Sequence, residues 1–240
     1  MAMGRIHSWE SMGLVDGPGI RTVIFLQGCR LRCRYCHNPD TWELCGGGTL
    51  ESPEETVNRL MRFKPYYGAD GGVTFSGGEP LLQKEFLTEA LALCKSRGIH
   101  TCLDTAGVGC GGYGEILKNT DLVLLDVKHY TPEGYQAVTS RSMDAYEEFL
   151  DAVQSMEVPL WLRHVVVPGL TDGEDHLAGL AEYVKGIRNV KRGELLPYHV
   201  LGVPKYRAMG IPYPLEGVPP MESGALVKWQ ERMNCGLKNG

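Results

Sequence analysis

Short apolar runs rich in β-branched residues alternate with helical stretches along most of this chain, and that alternation limits the fold more than any other feature. Residues 22–26, 72–76, 99–103, 122–125, 159–167 and 194–196 read as strands. Ser52, Pro53, Glu54 and Glu55 supply an N-cap, a first-turn proline and first-turn acids for a helix continuing through Val57, Leu60, Met61 and Lys64. Phe86, Leu87, Ala90, Leu91 and Cys94 fall at helical spacing over 84–96, and Tyr146, Phe149, Leu150 and Val153 do so over 142–155. Further helices are expected near 113–119, over 175–187 and over 221–233. Strand then helix, about six times, implies parallel strands with right-handed crossovers. A closed eight-stranded barrel takes roughly 250 residues. The pattern therefore predicts an α/β fold, an open, partial (β/α)6 TIM-like barrel in a single domain over residues 1–240 with its core at about 16–200. A doubly wound open sheet is the alternative.

Two stretches fall outside the pattern. Residues 4–21 are polar and Gly-rich, with a turn at Asp16, Gly17, Pro18 and Gly19, where proline followed by glycine suits a type II turn. Residues 202–220 are Pro-rich and read as surface loop.

In parallel α/β folds the site is built from loops at the carboxyl ends of the strands. Here the strands end at Cys29, at Gly77, Gly78 and Glu79, at Asp104, at Asp126 and Lys128, near Arg163 and Pro168, and at His199. Each alone has an ordinary explanation as a turn cap, a surface charge or a loop histidine. Together they mark one rim as the site. Glycines at 77 and 78 would let the chain come close to a ligand.

Cys29, Cys33 and Cys36 stand at C-x3-C-x2-C spacing directly after the first strand. Three thiolates can hold a cubane iron–sulfur cluster and leave its fourth iron open, which is the mark of a catalytic centre. A zinc module using His37 or Cys45 as fourth ligand, and a ferredoxin-like electron carrier closed by Cys45, are the rivals. Neither needs the polar rim. Cys94 and Cys102 read as small buried hydrophobes, and His7, His100, His129, His164 and His176 as structural or exposed.

Composition narrows the classes. A net charge of −5 argues against binding nucleic acid through its phosphates. No apolar run reaches membrane-spanning length, and the N-terminus lacks a signal-peptide core, so no membrane partner is expected. Eight cysteines with three clustered suit a reducing cytoplasm better than a secreted disulfide framework.

The cysteine loop, Gly78 and Glu79 resemble the radical S-adenosylmethionine superfamily. More narrowly, Gly17, Pro18, Gly19, Arg21, Phe25 and the run from Gly28 through Cys36, His37 and Asn38 resemble the enzymes that activate glycyl radical enzymes. The resemblance extends over about residues 4–200. It implies one 4Fe–4S cluster on Cys29, Cys33 and Cys36, with S-adenosylmethionine on the fourth iron. It implies reductive cleavage of that cofactor and hydrogen abstraction from a backbone glycine of a partner. It implies cofactor contacts from Tyr35, Cys36, His37, Gly77, Gly78, Glu79, Asp104, Asp126, Val127, Lys128 and His199. It further implies a monovalent cation, Na+ or K+, beside Asp104 and Asp126. Asp16 and Arg163 are the implied catalytic-site residues, Asp16 lying in the turn that receives the partner's glycine loop. The implied partner is a glycyl radical enzyme, with pyruvate formate-lyase favoured, and the implied donor is flavodoxin or ferredoxin. A monomer is expected. The larger relatives insert extra cysteine quartets after the first motif; only Cys45 lies there in this chain, so auxiliary clusters are not expected.

Overall fold

A computed structural model describes residues 2–235 and 237. Among the described residues there are eight strands: β1 (Gly4–Gly13), β2 (Arg21–Leu26), β3 (Thr49–Glu51), β4 (Gly72–Gly77), β5 (His100–Thr105), β6 (Leu122–Asp126), β7 (Leu160–Val166) and β8 (Val190–Pro197). The helices are α1 (Pro53–Leu60), α2 (Lys84–Ser96), α3 (Gly114–Lys118), α4 (Pro132–Thr139), α5 (Asp144–Ser155), α6 (Glu174–Lys185), α7 (Val203–Met209) and α8 (Val227–Asn234). Strand order is β3-β1-β2-β4-β5-β6-β7-β8, a linear and unclosed sheet. It is mostly parallel, as the strand–helix alternation predicts. No helix among the described residues is long and apolar enough to cross a membrane.

The chain gathers into two compact units. One comprises the residues through Arg30 with Thr41–Leu124 and Asp144–Pro159; the other comprises Leu31–Asp40, Leu125–Met143 and the residues from Leu160 on. In the first, β2, β4 and β5 run parallel, with Ile24 opposite Phe75 and Phe75 opposite Leu103. Val23, Ile24, Val73, Phe75, Cys102 and Leu103 are all fully buried, as expected of parallel strands covered on both faces. β1 adds antiparallel to β2, and the three-residue β3 adds antiparallel to β1. In the second unit β7 and β8 are parallel, Leu162 lying opposite Gly193.

Local signals explain most helix ends. Ser52 caps α1: its hydroxyl accepts from the Glu55 N–H while Glu55 accepts from the Ser52 N–H at 2.8 Å. That helix stops at Leu60, short of the expected Lys64, because Pro65 opens a separate 3-10 turn over Lys64–Tyr66. Thr131 caps α4, which the sequence pattern did not predict. The stretch 202–220, expected as loop, holds α7: Pro204 lies in its first turn, where a missing N–H costs nothing, and Gly210 ends it at φ 66°. The expected terminal helix over 221–233 is a 3-10 turn, Ser223–Leu226, followed by α8.

The free edge of β8 is met by side chains. Gly193 N–H donates to Asn234 Oδ1 at 2.9 Å and Leu195 N–H to Gln230 Oε1 at 2.7 Å. The amide nitrogens of the same two side chains donate to the Gly193 carbonyl.

Candidate active site

In the first unit the site begins where β2 ends. Gly28 has φ 102°, a conformation that favours glycine. Its N–H donates to the Thr41 carbonyl and its carbonyl accepts from the Glu79 N–H, both at 2.8 Å. A Cβ at Gly78 would run into that Gly28 oxygen, and one at Gly77 (φ 120°) into the Leu26 backbone. The glycine pair thus allows β4 to come close to the backbone just ahead of Cys29.

Glu79 is fully buried, and both its oxygens are engaged within this unit. It accepts from Leu81 N–H at 3.2 Å, Ala106 N–H at 3.0 Å, Val108 N–H at 3.4 Å and the Thr105 hydroxyl. Burial lifts its carboxyl to about 6 despite these donors. Glu79 therefore ties the turn after β4 to the turn after β5. Asp104, near the end of β5, accepts from Ser76 Oγ at 2.7 Å.

In the second unit the cysteine loop is pinned to the end of α4. Arg32 N–H donates to the Thr139 carbonyl at 2.9 Å and Arg34 N–H to the Val138 carbonyl at 3.0 Å. Burial alternates along this stretch: Leu31, Cys33 and Tyr35 are buried, while Arg32 is exposed. Cys36 N–H closes a turn onto the Cys33 carbonyl. Burial pushes the Cys33 thiol up to about 11, against the pull of Lys128.

Asp126, at the end of β6, is gripped from two sides. Lys128 Nζ lies 2.8 Å from one oxygen and Arg163 Nε 3.0 Å from the other. Burial favours the neutral acid, but the two cations outweigh it and hold the carboxyl down to about 2. Two cations thus face this one carboxylate. Arg163 stands within β7, three residues before its last. Lys128 also lies 5.7 Å over the Tyr35 ring. The intervening Val127 is fixed at both backbone groups, by the Arg163 carbonyl at 2.8 Å and by His164 Nδ1 at 2.6 Å.

His199 stacks on His37, ring centroids 3.8 Å apart, and its carbonyl lies 3.2 Å from His37 Nε2. Burial, then His199, lowers His37 to about 4, so it is neutral at pH 7. A Cβ at Gly202 would stand 2.8 Å from the His37 Cα, so the start of α7 presses on the cysteine loop. Lys205 of α7 adds bonds to Asn38 at 2.9 Å and Asp40 at 3.0 Å. Sequence reading missed Lys205, whose partners are remote in the chain and carry no local motif.

None of the three motif cysteines is in a disulfide, Cys29 and Cys33 are buried, and the chain holds all three within eight residues. That donor set fits a cluster that takes three protein ligands. Binding must displace the thiol protons.

A fold of strand–helix units with such a loop defines a class, and the sequence profile described as the Radical SAM superfamily matches residues 23–181. The pyruvate formate-lyase-activating enzyme of Clostridium pasteurianum is 57% identical over 223 residues, covering 92% of this chain and 93% of that one. The enzyme of the same name from Staphylococcus epidermidis is 44% identical over 247 residues, covering 99% and 98%. A crystal structure of a domain of pyruvate-formate lyase-activating enzyme from Bacteroides vulgatus shares the fold, with a TM-score of 0.55 and 24% identity over 69% of this chain and 94% of that one. The chain belongs to the radical SAM superfamily and, within it, to the family of the pyruvate formate-lyase-activating enzymes.

Proposed function

We propose that this protein is a radical SAM activase that installs a glycyl radical in pyruvate formate-lyase. The observation that carries the reading is the pinned loop of three cysteines, none in a disulfide, in a chain 57% identical to an enzyme of that name. When bound, a 4Fe–4S cluster and S-adenosylmethionine supply one-electron cleavage of a carbon–sulfur bond and removal of hydrogen from a glycine of the partner.

The chain's own residues do the positioning. Cys29, Cys33 and Cys36 would hold the cluster. Lys128 and Arg163, as cationic donors, suit the carboxylate of an amino-acid moiety. Tyr35, buried beneath Lys128, and the neutral His37–His199 stack offer apolar and aromatic surface. The Gly77–Gly78 backbone fixes the level of the loop, with Glu79 as its tether. A cation beside Asp104 and Asp126 rests on family resemblance alone, since Asp126 is already compensated by two positive side chains. Asp16 would meet the partner's glycine loop. The reading includes a monomer in a reducing cytoplasm with flavodoxin or ferredoxin as electron donor.

The test is anaerobic incubation of the reconstituted protein with reductant, S-adenosylmethionine and pyruvate formate-lyase, read by electron paramagnetic resonance. A glycyl radical signal on the partner is expected. Cofactor cleavage with no such signal, but with one on another glycyl radical enzyme, would reassign the partner.

A further inference from the structure

A backbone carbonyl can only accept, so a ring nitrogen that bonds to it must be the donor. His164, on β7, places Nδ1 2.6 Å from the Val127 carbonyl and therefore carries a proton there. Burial takes His164 down to about 3 and, with His129 nearby, His176 to about 4, so both rings are neutral at pH 7. The Nε2 of His164 is thus left as a lone pair. It lies 3.1 Å from Nε2 of His176, in the first turn of α6, so His176 must donate from that atom. His176 is packed in turn, the ring centroids of His129 and Tyr130 lying 4.7 Å and 5.1 Å from its own.

The result is a clip on one residue. Val127 follows the last residue of β6, and its N–H donates to the Arg163 carbonyl at 2.8 Å while its carbonyl accepts from His164. Two consecutive residues of β7 thereby hold both main-chain groups of a buried residue. On either side of it stand Asp126 and Lys128, whose side chains meet at 2.8 Å, and the Arg163 side chain reaches Asp126 at 3.0 Å.

We infer that His164 is a positioning residue for S-adenosylmethionine, acting through the Val127 carbonyl to set the directions of Asp126 and Lys128, with His176 holding its ring. The inference deepens the reading above and rests on the cofactor contacts given there. A buried carbonyl that loses its donor turns toward another, and that turn carries both neighbours with it. The cysteine loop keeps its own main-chain bonds to α4, so the cluster is expected to bind as before.

Long-range 1H–15N spectra of the full chain, labelled in histidine, test the first step without the cofactor. At pH 7 His164 should be protonated at Nδ1 and His176 at Nε2. Protonation of His164 at Nε2 alone would overturn the inference. Anaerobic equilibrium dialysis of S-adenosylmethionine against the cluster-loaded protein tests the second step. His164→Leu, which keeps the bulk and loses the donor, is expected to raise Kd about tenfold with iron content unchanged. His164→Asn puts an amide N–H where Nδ1 stood and should restore the wild-type Kd. A wild-type Kd in His164→Leu, an equal loss in His164→Asn, or a parallel loss of iron would sink the proposal. Should His164→Leu fail to fold by circular dichroism, the His176 pair decides. His176→Leu should then raise Kd about threefold, and His176→Gln, whose amide can still donate, should not. Wild-type protein that binds the cofactor, with the variants graded as stated, but leaves no radical on any glycyl radical enzyme would remove the activase reading and leave this inference in place.

Discussion

Burial holds the Cys33 thiol in its protonated form at pH 7, so a cluster must displace that proton as it binds. With three thiols available and none to spare, Cys33→Ala should abolish both the brown cluster absorbance and cleavage of S-adenosylmethionine. Retention of either would count against the site. Asp16→Ala should lower activation of the partner more than uncoupled cleavage, measured side by side in one preparation. Glu79 makes a prediction about stability. Its carboxyl titrates near 6, above its ordinary 4.5, so the folded state binds a proton more tightly than the unfolded chain. The stability from that proton is fully present below pH 4.5 and is lost as pH rises through about 6. The gap in melting temperature between wild type and Glu79→Gln should therefore change across that window and stay flat above pH 7.

Among the elements, α7 is the one whose place matters to the chemistry. Gly202→Ala would push a methyl group into the His37 backbone and lift the start of α7 from the cysteine loop. Reduced iron content after reconstitution is expected, with far-UV circular dichroism retained. Ser52→Ala removes half of the capping box on α1 and should cost about 1 kcal/mol in denaturant unfolding, with no change in iron content. These contrasting elements also show what a sequence can disclose. α1 was readable because Ser52, Pro53 and Glu55 are neighbours and each acts locally. α7 was not, because prolines suggest loop, and Pro204 is harmless only if it falls in the first turn. β1 was missed because its polar, glycine-bearing run becomes a strand through pairing with β2, not through a pattern of its own. The same logic divides the site. Cys29, Cys33 and Cys36 announce themselves by spacing. His164 and Lys205 act across 37 and 165 residues, on Val127 and Asp40, and no window of sequence joins those pairs.

At the scale of the molecule, both units draw on separated stretches of chain, and the cysteine motif itself runs from one into the other at Arg30 and Leu31. The second unit holds its part of the motif through main-chain bonds to α4, independent of any metal. Air oxidation of the cluster should therefore leave the far-UV circular dichroism spectrum unchanged while activity disappears. The side-chain amides of Gln230 and Asn234 bear on a different matter. An unpaired strand edge is a template for another chain. Here α8 imitates the backbone of a missing neighbour, offering carbonyls and N–H groups in the right alternation without being a strand. The sheet can then stop at β8 without closing on itself. Deleting α8 should turn a well-behaved protein into one that associates edge to edge, a failure of solubility and not of catalysis.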